Sequence, residues 1–120
     1  MDLPETRYAK NGDVHIAYQV TGDGPVDILV VPDWIIAMDS SWCWEGYPRV
    51  WERLGSLGRL VLTDARGRGS SDPAPLGDPA TFEHAVDDLG AVLDAVGSDR
   101  VFLIGHSWSA AMLALSLIHI

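Results

Sequence analysis

Basic residues are scarce in this chain of 120 residues, which carries eight lysines and arginines against 17 aspartates and glutamates and a net charge of −9. This excess of negative charge opposes binding to nucleic acid or to an anionic membrane, so we expect neither as a partner. Cysteine is almost absent as well. The single thiol, that of Cys43, cannot form an intrachain disulfide or a C-x-x-C metal or redox motif. We predict that Cys43 is buried or half-buried and has no functional role.

Long apolar runs are also missing. The longest one, near the C-terminus, is too short to cross a bilayer, and the first ten residues, MDLPETRYAK, lack the apolar core of a secretory signal. We therefore expect a cytoplasmic protein. The length suffices for one domain with a core, although many single α/β domains need about 200 to 250 residues.

The apolar pattern predicts a succession of strands and helices. Apolar residues alternate between Asn11-Gly12 and Gly22-Asp23-Gly24, which predicts a β-hairpin whose second strand has one buried face. The continuous runs VDILVVP and RLVLTD predict strands that are covered on both faces. Helical spacing predicts helices over Pro48–Leu57 and Phe82–Val96, and Val101–Ile104 predicts a last strand. This order predicts the α/β class, with a mostly parallel sheet, helices on both faces and an N-terminal β-hairpin.

The stretch VFLIGHSWSAAML places Ser107 between the last predicted strand and a run that can continue as a helix. A G-x-S-x-G elbow needs small residues two before and two after its serine, because strand and helix approach each other closely there. Gly105 and Ser109 occupy these positions, and Ser109 departs from the strict pattern while remaining small. The pattern predicts Ser107 as a nucleophile. A small-residue turn without chemistry is the alternative that the bare motif leaves open.

Two further polar stretches follow predicted strands as Ser107 does. Asp33-Trp34 follows VDILVVP, and the turn DARGRGSSD follows RLVLT. In a parallel sheet with helices on both faces, ligands gather beyond the carboxyl ends of the strands. We therefore expect the three stretches to meet at one edge of the sheet.

These motifs, in this order, resemble the α/β-hydrolase family. GHSWSA is similar to its nucleophile elbow, DARGRGSSD to its D-x-R-G-x-G-x-S turn, and VVPDW stands where its oxyanion loop follows the third strand. The resemblance implies that Ser107 attacks the acyl carbon of a small-molecule substrate and that the backbone N–H groups of Trp34 and Trp108 hold the oxyanion. It also implies that Asp64 and Arg66 brace loops, and that the site uses no cofactor and no metal.

The turn DARGRGSSD and the loop at Asp33-Trp34 each have features that need separate interpretation. Gly67 and Gly69 are predicted to adopt positive φ angles in the turn. GRGSSD half-matches the dinucleotide pattern G-x-G-x-x-G, but Asp72 replaces the third glycine, so we expect no dinucleotide site. Asp33 stands where the family has a glycine before its oxyanion residue. A carboxylate there could repel the oxyanion, which weakens the assignment of Trp34.

Tryptophans are concentrated in the segment that follows the first predicted parallel strand. This clustering is compatible with the wall of an apolar acyl pocket and with an ordinary core, and the sequence leaves both interpretations open. The residues concerned are Trp34, Trp42, Trp44 and Trp51.

A serine hydrolase of this kind needs an acid and then a histidine after its nucleophile. The chain has no Asp or Glu after Ser107, and the one histidine there, His119, would lie about 18 Å away along a continuing helix. We therefore expect the chain to be the N-terminal portion of one α/β-hydrolase domain. The last six residues, LSLIHI, resemble the translation of a common sequencing adapter, so residues 115–120 are expected to be non-native.

Two functions follow as expectations. The first is a serine hydrolase of an ester, thioester or similar acyl bond, with cofactor-free peroxidase chemistry as a close variant. The second is a non-catalytic ligand-binding or sensory domain. Asp33 and Ser109 motivate the second, together with a likeness to the hydrolase domains that bacteria use alone or fused to signalling domains.

Overall fold

The computed structural model describes residues 3–31, 36–77 and 81–105. Its strands are β1 (Arg7–Asn11), β2 (Val14–Thr21), β3 (Asp27–Val30), β4 (Arg59–Thr63) and β5 (Val101–Ile104). Its helices are α1 (Met38–Ser41), α2 (Tyr47–Leu57) and α3 (Phe82–Val96). The predicted hairpin, the later strands and both predicted helices are confirmed, and α1 is an additional short helix.

The five strands form one sheet in the order β1-β2-β4-β3-β5. Pairing is antiparallel between β1 and β2 and between β2 and β4, and it is parallel between β3 and both of its neighbours. Because β1 and β4 are both antiparallel to β2, they run in the same direction as each other. Strands β3 and β5 share that direction, so among these five strands β2 alone runs the opposite way. The predicted α/β class, with a mostly parallel sheet and an N-terminal hairpin, is confirmed.

Helices cover both faces of the sheet. Neighbouring residues of a strand point to opposite faces, so a continuous apolar run presents apolar side chains to the helices on each side. Leu29 and Val61 lie in one apolar cluster with residues of α3, whereas Ile28 and Leu60 lie in a second cluster with residues of α1 and α2. All four of these side chains are at most 5% exposed. Strands β3 and β4 are therefore covered on both sides, as the unbroken apolar runs of their sequences predict.

Strand β2 differs from its prediction, which gave it one buried face. Ile16 and Tyr18 pack on the side of α3, while Ala17 packs among the residues of α1 and α2, and Gln19 is buried as well. The alternating pattern misleads here because the second face is filled by a small residue and a polar one. This face of β2 supports the segment that contains α1.

The ends of the two longer helices have local causes. Helix α2 begins at Tyr47, with Pro48 in its first turn, where the missing N–H of proline costs no helical hydrogen bond. Helix α3 is capped by Thr81, whose hydroxyl accepts a hydrogen bond from the N–H of His84. It ends before Gly97, which has a φ of 71°.

The tryptophans between α1 and α2 separate into two environments. Trp42 and Trp51 are buried in the cluster under α1 and α2, whereas Trp44 is 51% exposed. Trp34 lies outside the described residues. Cys43 is exposed, and its predicted burial is wrong, because it follows α1 in a turn in which Trp42 occupies the core. Across residues 3–31, 36–77 and 81–105, no helix combines the length and apolarity that a membrane crossing requires.

Candidate active site

The carboxyl ends of the parallel strands lie side by side at one edge of the sheet. Strands β3 and β5 are in register up to the pair Val30 and Ile104, and the N–H of Val31 then donates a hydrogen bond to the carbonyl of Ile104 at 2.8 Å. The segment 32–35 starts directly after Val31, and residue 106 follows Gly105. The chain therefore leaves two adjacent strands at the same edge, as expected for a site at this position.

The predicted nucleophile and the predicted oxyanion donors lie just beyond these strand ends in the sequence. Ser107, Trp34 and Trp108 fall outside the described residues, as does Asp33. Their roles thus remain predictions. The described part of the edge consists of Val31, Gly105 and the turn 64–72 that follows β4. Its hydrogen bonds show how this turn is attached to the neighbouring strands and helices.

Asp64 is the first residue after β4, and its carboxylate joins two separate segments. One oxygen accepts the N–H of Met38, the first residue of α1, at 2.8 Å, and the other accepts the N–H of Ser70 at 3.0 Å. Ala37, the cap residue of α1, makes no side-chain cap of its own, so Asp64 caps this helix from a distant part of the chain. Burial raises the pKa of Asp64, the two backbone donors oppose that rise, and the charge of Asp39 adds to it.

The turn 64–72 continues the pairing of β2 beyond the end of β4. The N–H of Ala17 donates to the hydroxyl of Ser71 at 2.8 Å, and this hydroxyl donates in turn to the carbonyl of Asp64. The N–H of Asp72 donates to the carbonyl of His15, while the N–H of His15 donates to the Asp72 carboxylate at 2.8 Å. The ring Nδ1 of His15 also lies 2.9 Å from this carboxylate, and the backbone and ring hydrogen bonds of His15 lower the pKa of Asp72. The turn is thus fixed to β2 at both of its ends, at Asp64 and at Ser71–Asp72.

Gly67 and Gly69 both have positive φ, at 79° and 50°, as their place in the turn predicts. Only Gly69 is also crowded, since a β-carbon there would overlap the carboxylate of Asp64. At Gly67 the nearest atom to such a β-carbon is the backbone nitrogen of Ala74, at 4.0 Å. The two glycines therefore share one backbone requirement but differ in packing.

We expect Gly69→Ala to destabilise the protein more than Gly67→Ala. Either alanine adopts a left-handed backbone at about 1 to 2 kcal/mol, and at Gly69 the overlap adds about 1 to 3 kcal/mol because Asp64 is held by two backbone donors. Urea unfolding followed by tryptophan fluorescence measures both variants. Equal losses of unfolding free energy would show that the Asp64 carboxylate moves aside without penalty.

Arg66 and Asp88 form a buried ion pair between this turn and α3. Two guanidinium N–H groups of Arg66 donate to the two carboxylate oxygens of Asp88 at 2.9 and 3.0 Å, and the side chains are 8% and 5% exposed. Asn11, at the end of β1, donates a further hydrogen bond to Asp88 at 2.7 Å. Sequence reasoning did not single out Asp88. The sequence does contain an indication of its burial. Asp88 is an acidic residue on the apolar face of α3, three positions after Ala85 and four before Val92.

A cavity of about 20 Å³ lies between the turn and α3, lined by Thr63, Asp64, Arg66 and Asp88 among others. This volume has room for about one water molecule. The cavity is therefore too small to receive an organic substrate. Within the described ranges, His, Cys, Asp and Glu side chains form no group of three or more that could hold a metal ion.

Gln19 is a second polar residue that sequence reasoning did not single out. It is 1% exposed and lies on the face of β2 that is covered by α1. Its amide donates to Asp39 at 2.5 Å and to Thr6 at 3.2 Å, and its carbonyl oxygen accepts the indole N–H of Trp42 at 2.9 Å. The only sequence signal is a long polar side chain within an otherwise well-buried strand.

Three comparisons with known proteins agree with this fold. A sequence profile of the Alpha/beta hydrolase family matches residues 22–119. Epoxide hydrolase 2 of Siraitia grosvenorii is 40% identical over 119 residues, which cover 92% of this chain and 33% of that protein. The crystal structure of epoxide hydrolase VrEH1 from Vigna radiata aligns with a TM-score of 0.76 and 25% identity, covering 96% of this chain and 36% of that one.

A third similar protein has a named activity other than epoxide hydrolysis. The structure of Est816, described as an N-acyl homoserine lactone degrading enzyme, aligns with a TM-score of 0.69 and 30% identity, covering 92% of this chain and 39% of that one. The present chain thus spans roughly a third of the length of the relatives that it matches.

Proposed function

Because the chain belongs to the alpha/beta hydrolase family, we propose that it carries the nucleophile and the oxyanion hole of a serine hydrolase for small-molecule acyl substrates. The observation that carries the proposal is the junction of β3 and β5, whose adjacent carboxyl ends lead directly into the segments with Trp34 and Ser107. In the proposal, Ser107 attacks an ester or thioester carbonyl, and the N–H groups of Trp34 and Trp108 receive the negative charge of the carbonyl oxygen.

The proposed reaction proceeds through an acyl-enzyme. A general base takes the proton of the Ser107 hydroxyl while Oγ bonds to the carbonyl carbon, and the alcohol or thiol then leaves with a proton. Water attacks the acyl-enzyme next and releases the acid. No Asp or Glu follows Ser107 in this chain, so in the proposal the base and its orienting acid come from sequence outside residues 1–120.

The identity of residue 107 favours acyl bonds over epoxides. A serine that opens an epoxide forms a C–O bond to a saturated carbon, and the resulting enzyme ether has no carbonyl for water to attack. A carboxylate nucleophile would instead form an ester, which water can hydrolyse. Epoxide hydrolysis is the second candidate because of the relatives with that name, but a covalent mechanism through Ser107 would stop after one turnover.

The alternative function is that of a non-catalytic binding domain, and the presence of Asp33 supports it. Its carboxylate stands one residue before the proposed donor Trp34, where a negative charge opposes the oxyanion. Such a domain would keep the pocket and lose turnover. In that case the small-molecule ligand would be bound unchanged, and a partner domain encoded in the same gene would read out the binding.

The test measures hydrolysis of three substrate classes by the product of the whole gene. The substrates are a short-chain activated ester, an N-acyl lactone and an aryl epoxide. We expect hydrolysis of the ester, of the lactone or of both, and no turnover of the epoxide. Steady turnover of the epoxide alone would overturn the acyl assignment. Absence of all turnover, with saturable binding of the uncleaved acyl compound, would favour the sensory domain.

A further inference from the structure

The hairpin of β1 and β2 contains the one asparagine of the sequence, Asn11, which is followed by Gly12. Asn11 is the last residue of β1 and pairs with Val14, so Gly12 and Asp13 form a two-residue connection. Gly12 is exposed and has a φ of 62°. A β-carbon built on it would meet no atom of the described residues within 4 Å, its chain neighbours aside. The glycine therefore leaves free space beside its own peptide nitrogen.

The side-chain amide of Asn11 is held by α3. Its NH₂ group donates a hydrogen bond to Oδ1 of Asp88 at 2.7 Å, and both oxygens of Asp88 also accept hydrogen bonds from Arg66. The side chain of Asp88 is 5% exposed. Because hydrogen bonds to charged groups are stronger than those between neutral groups, this contact holds the Asn11 amide against α3.

An asparagine that precedes a glycine can be attacked by the backbone of the next residue. The nitrogen of Gly12 loses its proton to water and bonds to the side-chain carbonyl carbon of Asn11, while the side-chain nitrogen takes up a proton and leaves as ammonia. Water then opens the five-membered imide at either carbonyl and gives aspartate or isoaspartate. Asparagine is for such reasons among the thermolabile residues of proteins. The amide must turn toward the nitrogen of Gly12 to react, and its hydrogen bond to Asp88 opposes this rotation.

We propose that Asn11 is a site of spontaneous deamidation, that its hydrogen bond to Asp88 slows the reaction, and that the product carboxylate breaks the contact between the hairpin and α3. The product places a negatively charged acceptor where the donor stood, so two carboxylates face the one guanidinium of Arg66. Like charges this close are strongly unfavourable away from water. An open groove of about 420 Å³ beside Asn11 has two acidic residues and one basic residue along its sides, Asp87, Asp94 and Lys10. These neighbours also disfavour a further negative charge.

Peptide mapping by mass spectrometry follows the conversion of Asn11 in the product of the whole gene, kept folded in neutral buffer. The test variant combines Arg66→Met with Asp88→Leu, which removes the acceptor of the Asn11 amide and leaves no buried charge behind. We expect aspartate and isoaspartate to form about 10- to 100-fold faster in this variant than in the wild type, since loss of a hydrogen bond to a charged group has an effect of this size.

Arg59→Met is the control for general destabilisation, because it breaks an ion pair at the amino end of β4 and leaves the bond between Asn11 and Asp88 in place. Its rate of conversion should stay within about twofold of the wild-type rate, since opening free energies are local. Equal rates in the wild type and in the double variant would show that Asp88 does not restrain the reaction. Absence of conversion in both proteins would overturn the site itself.

The effect of the product on the fold is tested with Asn11→Asp, which reproduces it. Asn11→Leu is the matched control, because leucine has a similar shape but neither donates a hydrogen bond nor carries a charge. We expect Asn11→Asp to lower the urea midpoint of unfolding further than Asn11→Leu does. In the Asp88→Asn background, Asn11→Asp should leave the midpoint unchanged or raise it, because a carboxylate and an amide then face each other again. Equal shifts for the two Asn11 variants, or the same shift by Asn11→Asp in both backgrounds, would overturn the proposed repulsion.

Discussion

Replacing Ser107 by alanine is expected to lower kcat for a short-chain activated ester by about 10⁴- to 10⁶-fold in the product of the whole gene. The hydroxyl is the proposed bond-forming group, and removal of such a nucleophile has effects of this size, whereas loss of one oxyanion donor has an effect of about 10²- to 10³-fold. The loss should appear in kcat and in kcat/KM alike. Steady-state hydrolysis, together with covalent labelling by a serine-directed phosphonate, measures it.

Ser109→Gly is the matched control, because it alters a second serine of the same motif and restores the strict G-x-S-x-G pattern. We expect this variant to retain activity and phosphonate labelling. The chain of 120 residues by itself should show no significant turnover, since it offers no acid after Ser107. Undiminished hydrolysis by Ser107→Ala, or rapid turnover by the short chain, would mean that another residue performs the chemistry.

Arg66→Met is expected to destabilise the protein by about 3 to 5 kcal/mol, the largest effect on folding that the described residues suggest. The substitution leaves the carboxylate of Asp88 buried without its bidentate partner, and an unpaired charge in an apolar interior is strongly unfavourable. The remaining hydrogen bond from Asn11 does not neutralise that charge. Urea unfolding followed by the fluorescence of the buried Trp42 and Trp51 measures the loss.

Arg59→Met is the matched control for this prediction. Arg59 makes an equally well-aligned pair with Asp27, at 2.8 and 3.0 Å, but the two side chains are 31% and 18% exposed. Water therefore solvates the remaining carboxylate, and the expected loss is about 1 kcal/mol or less. In the double variant with Arg66→Met and Asp88→Leu, most of the lost stability should return because no buried charge remains. Similar losses for Arg66→Met and Arg59→Met would show that burial of the ion pair is not what matters.

The arrangement of helices and strands could be predicted from the sequence because it depends on neighbouring residues. The period of the apolar residues, the glycines that end segments and the proline at the start of α2 are local signals, and they placed the strands and the two longer helices correctly. The same signals indicated the positive φ of Gly67 and Gly69. The motif around Ser107 is equally local, so the sequence predicts a nucleophile there without any tertiary information.

The distant partners of Asp88 and Gln19, two buried polar side chains, were decided by the tertiary structure. Asn11 and Asp88 are separated by 77 residues along the chain, and Gln19 meets Asp39 and Trp42 across 20 and 23 residues. No local pattern specifies such pairs, because the cost of burying each group is offset only when distant elements bring a partner of matching geometry. The second buried face of β2 has the same origin, since a small and a polar residue became interior when α1 and α2 covered them.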